Sequence, residues 1–144
     1  MKQLININHS NTTDIALLIA RVSLGILMLT HGLPKMSMLF SGEPVQFPAV
    51  LGLSSEMSLS LAVFAEVFCS VLLLAGLATR MTVIPLIITM LVAIYAVHGA
   101  DPFANKEIAV LYLAGYLVLF FSGSGKYSLD YLLAKSMKLK KVYA

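Results

Sequence analysis

The feature that most constrains this chain is a set of four long apolar runs: Ile15 to Leu33, Met57 to Ala78, Met81 to Val97 and Ile108 to Phe121. Crossing the hydrocarbon core of a bilayer takes about 20 helical residues, because an α-helix rises only about 1.5 Å per residue. Each run reaches that length, or nearly so once flanking small and aromatic residues are counted. Together they occupy most of the 144 residues, of which 59% are hydrophobic and 12% charged. A soluble domain carries about twice that share of charge, and one this small has too little interior to hide the apolar excess. The expected fold is therefore an all-α integral membrane protein, a four-transmembrane-helix bundle with a short C-terminal interfacial helix. No segment is left over for a soluble catalytic domain. The first run does not read as a signal peptide: it starts late, contains Arg21 and ends in Gly-Leu-Pro-Lys without a small-residue cleavage pattern.

Charge placement divides the chain into three parts. Residues 1–14 form an N-terminal segment, residues 15–125 the membrane domain with an external loop at 35–56, and residues 126–144 a basic amphipathic tail. Lys2, Arg80, Lys126, Lys135, Lys138, Lys140 and Lys141 fall on one side of the spans. Lys35 and Lys106 fall on the other, opposed by Glu43, Glu56, Asp101 and Glu107. The excess of Lys and Arg puts both termini in the cytoplasm. The net charge of +3 then reflects topology and a tail that touches anionic lipid, and nucleic acid is not an expected partner. The single cysteine, Cys69, excludes an internal disulfide or a CxxC redox pair. Inside an apolar run such a thiol acts as a small hydrophobe.

Local signals set the expected boundaries. The polar start should be poorly ordered until Ser10, Thr12, Thr13 or Asp14 caps the first helix, and Pro34 with Lys35 should end it. In loop 35–56, Pro44 and Pro48 oppose regular helix, while Met38, Leu39, Phe40, Phe47, Val50 and Leu51 are too apolar for free solvation. The loop therefore lies back on the bundle or the membrane surface, as the roof of a cavity or as an interfacial anchor. Gly76 to Arg80 is so short that helices two and three must be antiparallel neighbours. Ser128 caps a final helix whose Leu129, Leu132, Leu133 and Met137 face the membrane, with Lys135, Lys138 and Lys141 nearer water.

Polar residues within the spans carry the functional signal. Counting residues inward puts Arg21 and Glu66 within about 5 Å in depth, in a core about 30 Å thick. Both should face the bundle interior, as a pair. Either Glu66 accepts protons or binds a ligand under the influence of Arg21, or the two fix helix register. A second group gathers at the outer helix ends: His31, Lys35, His98, Asp101 and Glu107, with Tyr112 and Tyr116 descending toward Glu66. Histidine suits proton exchange near neutral pH, and tyrosine offers a hydroxyl and an aromatic face, both of use to a quinone head group. Glu66, Arg21, His31 and His98 are thus the candidate catalytic residues, and Tyr112, Tyr116, Lys35 and Glu107 the candidates for holding a cofactor. Interfacial belts, helix capping and snorkelling account for the same residues without any site. No metal-ligand spacing such as HExxH occurs, and no metal is expected. Gly25 and Gly32, seven apart near the Arg21 face, let a neighbouring helix approach closely. Arg80 and Asp130 are expected to pair and dock the tail, an exposed contact worth about 0–1 kcal/mol.

Four stretches together resemble the DoxX family of small four-helix membrane proteins: RVSLGILMLTHGLPK, AEVFCSVLLLAGLATR, TMLVAIYAVHG and GSGKYSLDYLL. The matching positions are Arg21, His31, Lys35, Glu66, Arg80, His98, Glu107 and Asp130. That family resembles a membrane subunit of thiosulfate:quinone oxidoreductase, with members linked to thiol or oxidative-stress chemistry. The resemblance implies a quinone-facing subunit in a bacterial or archaeal cytoplasmic membrane, working with an oxidoreductase partner subunit. The chain itself lacks a soluble sulfur-handling portion. Two other functions fit the same residues: a small-molecule or lipid-binding transport protein, and a membrane scaffold for a soluble enzyme. Glycine-bearing helix faces also favour self-association into a homo-oligomer.

Overall fold

A computed structural model describes residues 9–142, with side chains over 11–137. The expected order of residues 1–8 and the placement of the Lys138, Lys140 and Lys141 side chains lie outside the described residues. The chain forms α1 (His9–Leu39), α2 (Ser55–Ala75), α3 (Thr79–Val97), α4 (Phe103–Ser122) and α5 (Leu129–Val142). The first four are long and apolar enough to cross a membrane. Their outward faces carry Ile19, Phe68, Met81 and Phe121, each more than half exposed, an arrangement that only lipid solvates without penalty. Met28, Leu73, Val83, Leu86, Tyr116 and Leu119, drawn from all four helices, fill the interior. The protein is a multi-pass membrane protein built as a four-helix bundle with one short additional helix.

Helix ends follow the local chemistry. The Ser54 hydroxyl accepts from Met57 N at 3.2 Å and starts α2. Gly76, with φ +67°, stops it, and Leu77 N reaches back to Leu72 O at 3.0 Å. Ser128 caps α5 through Tyr131 N at 3.3 Å. The start of α1 differs from expectation. The helix already runs from His9, so Asp14 is free to act elsewhere. Its carboxylate accepts from Lys126 N at 3.0 Å and pairs with the Lys126 ammonium at 3.0 Å, tying α1 to the segment after α4.

The end of α1 also differs, because Pro34 does not stop it. Helix continues to Leu39; proline costs it one backbone hydrogen bond. The continuation lengthens a buried stripe, Arg21, Gly25, Met28 and Gly32, by one step to the half-buried Lys35, with spacings of four and three residues. A Cβ on Gly25 would meet Leu74 at 2.8 Å, and one on Gly32 would meet the Glu66 backbone at 2.9 Å. Gly32 thus lets α1 lie against the α2 backbone, and Gly25 leaves room for the Leu74 side chain.

The stripe corrects the expected Arg21–Glu66 pair. Glu66 lies level with Gly32, eleven residues or about 16 Å along α1 from Arg21. Arg21 lies level with the far end of α2, where a Cβ on Gly76 would collide with its guanidinium. There Arg21, 2% exposed, donates to Ser124 O at 3.0 Å and Tyr127 O at 2.6 Å. Its role in this fold is to hold the segment between α4 and α5. Arg80 and Asp130 do the same by different contacts from the pair expected. Asp130 accepts from Ala78 N at 2.7 Å and Thr79 N at 3.0 Å, capping α3 from a distant part of the chain, while Arg80 donates to Phe121 O at 3.1 Å.

Candidate functional site

Glu66 is a carboxylate 2% exposed in the middle of an apolar bundle. Such a charge is tolerated only with a partner, and the extended α1 supplies one. Lys35 Nζ lies 2.5 Å from Glu66 Oε1, while Oε2 has no hydrogen-bond partner. The pair joins the two groups that sequence had set at different depths.

Backbone irregularity surrounds this pair. Glu66 sits in a π-helical stretch, Phe64–Cys69. A second one, Ala93–Val97, ends α3, where His98 N donates to Ala93 O at 2.9 Å across five residues. Single π-turns widen a helix, leave its side chains out of the 3.6-residue phase and gather at functional sites. Nothing in the apolar residues of either stretch announces one.

Two cavities meet at the pair. The first, about 320 Å³, lies between α2 and α3 beneath loop 40–54 and is mostly apolar, with Phe47, Leu53, Leu61 and Val92 among its walls. The second, about 220 Å³, lies among α1, α3 and α4 and is more polar, with His31, Asn105 and Tyr112. Lys35, Glu66, Ala93 and His98 line both.

An aromatic column descends from the polar cavity. His31 meets Tyr112 edge to face at 5.8 Å, and Tyr112 stacks on Tyr116 at 5.9 Å. The Tyr116 hydroxyl is buried without a partner. At the mouth, His98 Nδ1 lies 2.8 Å from Asp101 Oδ2. The hydrogen bond to His98, and next that to Asn105, hold Asp101 below the ordinary carboxylate range. Because its folded pKa is depressed, Asp101 contributes stability above its unfolded pKa and loses it as pH falls through the lower folded value. Titration of Asp101 by carboxylate infrared absorbance should therefore show a midpoint below that of a free aspartate. In His98→Ala the midpoint should move back up; an unchanged midpoint would dismiss the contact.

Of the candidate residues, His31, Lys35, Glu66, His98 and Tyr112 line these cavities, with Tyr116 beneath. Arg21 does not, for the reason above. Glu107 is exposed on α4 and lines neither cavity. Sequence reasoning missed Asn105 as a cavity residue, although His98 and Asn105 are seven apart around one short turn, whereas Phe47 falls in the loop it read as a roof or an anchor. Among the described residues no cluster of three or more His, Cys, Asp or Glu is placed to hold a metal.

Residues 16–99 match DoxX. The chain belongs to the DoxX family. That match takes in the Arg21-to-Lys35 stripe, Glu66 and His98, and DoxX proteins are small multi-helix membrane proteins linked to oxidoreductases of thiol and oxidative stress. A Bacillus subtilis (strain 168) protein named "Putative oxidoreductase CatD" is 34% identical over 134 residues, 91% of this chain and 96% of that one. An uncharacterized Haemophilus influenzae protein is 31% identical over 117 residues, 76% of this chain and 84% of its own length. No solved structure matches.

Proposed function

We propose that this DoxX protein is a quinone-facing subunit of a membrane oxidoreductase complex serving thiol or oxidative-stress chemistry. The observation that carries the reading is the position of Glu66. It sits between an apolar and a polar cavity, with one carboxylate oxygen on Lys35 and the other unpartnered. The apolar cavity has the volume of a small-molecule site, for which about 300 Å³ is the lower bound. Its walls suit a ring and the start of an isoprenoid tail. The few polar groups at its inner end suit a carbonyl oxygen.

A bound quinone would supply two-electron, two-proton chemistry at that point. The protein's own part is to bind, orient and handle protons. Lys35 Nζ is the donor that orients a carbonyl oxygen, and Glu66 Oε2 is the atom that holds a transferable proton. His98, which borders both cavities, and His31 carry protons between Glu66 and the outer water. Leu53, Leu61 and Val92 keep that water out of the apolar cavity. The remaining chemistry belongs to a partner subunit. The name of the Bacillus subtilis relative supports redox chemistry, and the Lys and Arg near the Arg80 end support cytoplasmic termini, so that the site opens on the outer face.

Purified protein in detergent micelles, titrated calorimetrically with a short-chain quinone, tests the reading. Glu66→Gln releases the Lys35 ammonium, and losing its charge-assisted hydrogen bond to the carbonyl should weaken binding by about 10- to 100-fold. Arg80→Gln, at the opposite end of the bundle, should bind as the parent does. If folded Glu66→Gln and Lys35→Met both keep parental affinity, the site is wrong. The second cavity also favours a solute pathway. Solute flux through reconstituted vesicles without an electron donor would select that transport reading instead.

A further inference from the structure

We propose that residues 43–51 form a hinged gate over the apolar cavity, latched by Phe47 on the Lys35 ammonium, through which ligand enters sideways from the bilayer. The proposal rests on the reading of that cavity as a ligand site. It is carried by how the segment is attached.

Each end of the segment is a left-handed turn. Gly42 has φ +75° just after α1, and Leu51 and Gly52 have φ +55° and +77° just before α2. Leucine rarely adopts that conformation. It is held there by the turn that Leu53 N closes onto Val50 O at 2.9 Å. A Cβ on Gly42 or Gly52 would meet nothing within 4 Å, so both hinges stand clear of the bundle. Between them Pro44 and Pro48 rule out regular backbone pairing.

Two contacts fasten this strap to the helices. Val50 N donates to Ser58 Oγ at 3.2 Å on α2, and Lys35 Nζ lies 5.8 Å from the centre of the Phe47 ring. The second contact is the latch. A ring face attracts a cation, and the cation is where it is because Glu66 holds it. Without the Glu66 charge, the long Lys35 side chain is free to turn outward toward water and the ring loses its partner. The state of the buried carboxylate is thereby transmitted to the surface strap.

The same geometry fixes the direction of entry. Phe47, Pro48, Val50, Leu51 and Leu53 form one wall of the cavity. Leu61 and Ile88, 54% and 53% exposed, form a lip that faces lipid. When the strap lifts, the cavity opens between α2 and α3 onto the bilayer. Its ligand class is therefore a membrane-dissolved molecule with a polar head and an apolar tail that remains in lipid. A loop that merely anchors the protein at the interface would have no dependence on Lys35 or Glu66.

The test uses the full chain in micelles, without any quinone. In a Cys69→Ala background, Leu53→Cys places a single thiol inside the cavity, and its modification by N-ethylmaleimide is timed. Phe47→Ala and Glu66→Gln should each speed modification by about threefold or more, the shift in opening expected from losing a cation–π contact. Phe47→Tyr, which keeps the ring, should react as the parent does. Equal rates in all four proteins would overturn the gate, as would a parent thiol that already reacts at the rate of an unfolded one. Should Glu66→Gln unfold, the comparison of Phe47→Ala with Phe47→Tyr decides alone. Since no quinone is present, a failed quinone titration leaves this result standing. Equal rates beside Glu66-dependent quinone binding would remove the gate and keep the site.

Discussion

Replacing Lys35 by methionine is expected to destabilise the protein by about 3 kcal/mol, the lower end of the cost of breaking a buried ion pair by removing one partner. The lower end applies because Lys35 is 30% exposed and its charge is partly solvated, whereas Glu66 is 2% exposed. What costs free energy is the carboxylate left behind. The double variant Lys35→Met with Glu66→Gln should accordingly recover most of the loss, a coupling that neither single change predicts. Unfolding in mixed micelles of increasing denaturing detergent would read all four proteins. Additive effects would show that the two side chains are energetically separate despite their contact. Ligand binding should stay impaired in the double variant, since stability returns while the donor and acceptor do not.

The second large effect belongs to Arg21, and it should appear at the other end of the bundle. Arg21→Met removes charged donors from Ser124 O and Tyr127 O. Each such hydrogen bond is worth about 1.5–3 kcal/mol, so a loss of about 3–6 kcal/mol is expected for the two. The loss should fall on the segment between α4 and α5, with faster tryptic cleavage after Lys126 and a lower thermal midpoint. Arg21→Lys should rescue only in part, because one ammonium lacks the planar fork that serves two carbonyls at once. Unchanged cleavage in Arg21→Met would show that the guanidinium does not hold the segment.

The contrast between these two residues shows what the sequence made legible. Hydropathy located four spanning helices because length and apolar content are one-dimensional quantities. Depth is one-dimensional too, but only once the true helix ends are known. Counting Arg21 from a start near Asp14 gave it a depth of about 10 Å, whereas α1 already runs from His9 and Arg21 sits level with the far end of α2, so two charges about 16 Å apart along the helix seemed level. Partners from the backbone are harder still to foresee. The groups that satisfy Arg21 are carbonyls of Ser124 and Tyr127, and every residue has a carbonyl. The Gly25 and Gly32 spacing was legible because a missing side chain has a single steric meaning on a helix face. His31, His98 and Tyr112 were legible as polar groups at one end. The π-turns that aim Glu66 and His98 were not, since Phe64–Cys69 reads as ordinary apolar helix.

The grip of Arg21 on Ser124 and Tyr127 also sets an order of events in the making of the protein. Its partners lie 103 and 106 residues later in the chain. At synthesis rates of about 5–20 residues per second, α1 enters the membrane roughly 5–20 seconds before those carbonyls exist. Through that interval its arginine lacks these partners, near the membrane end that Gly76 marks, and its long side chain can snorkel. The charge must reach the bilayer surface to wait. Residues made about a hundred positions later are thus the ones that seat this helix, and a ribosome that stalls before residue 124 leaves a nascent chain in which α1 has no fixed depth.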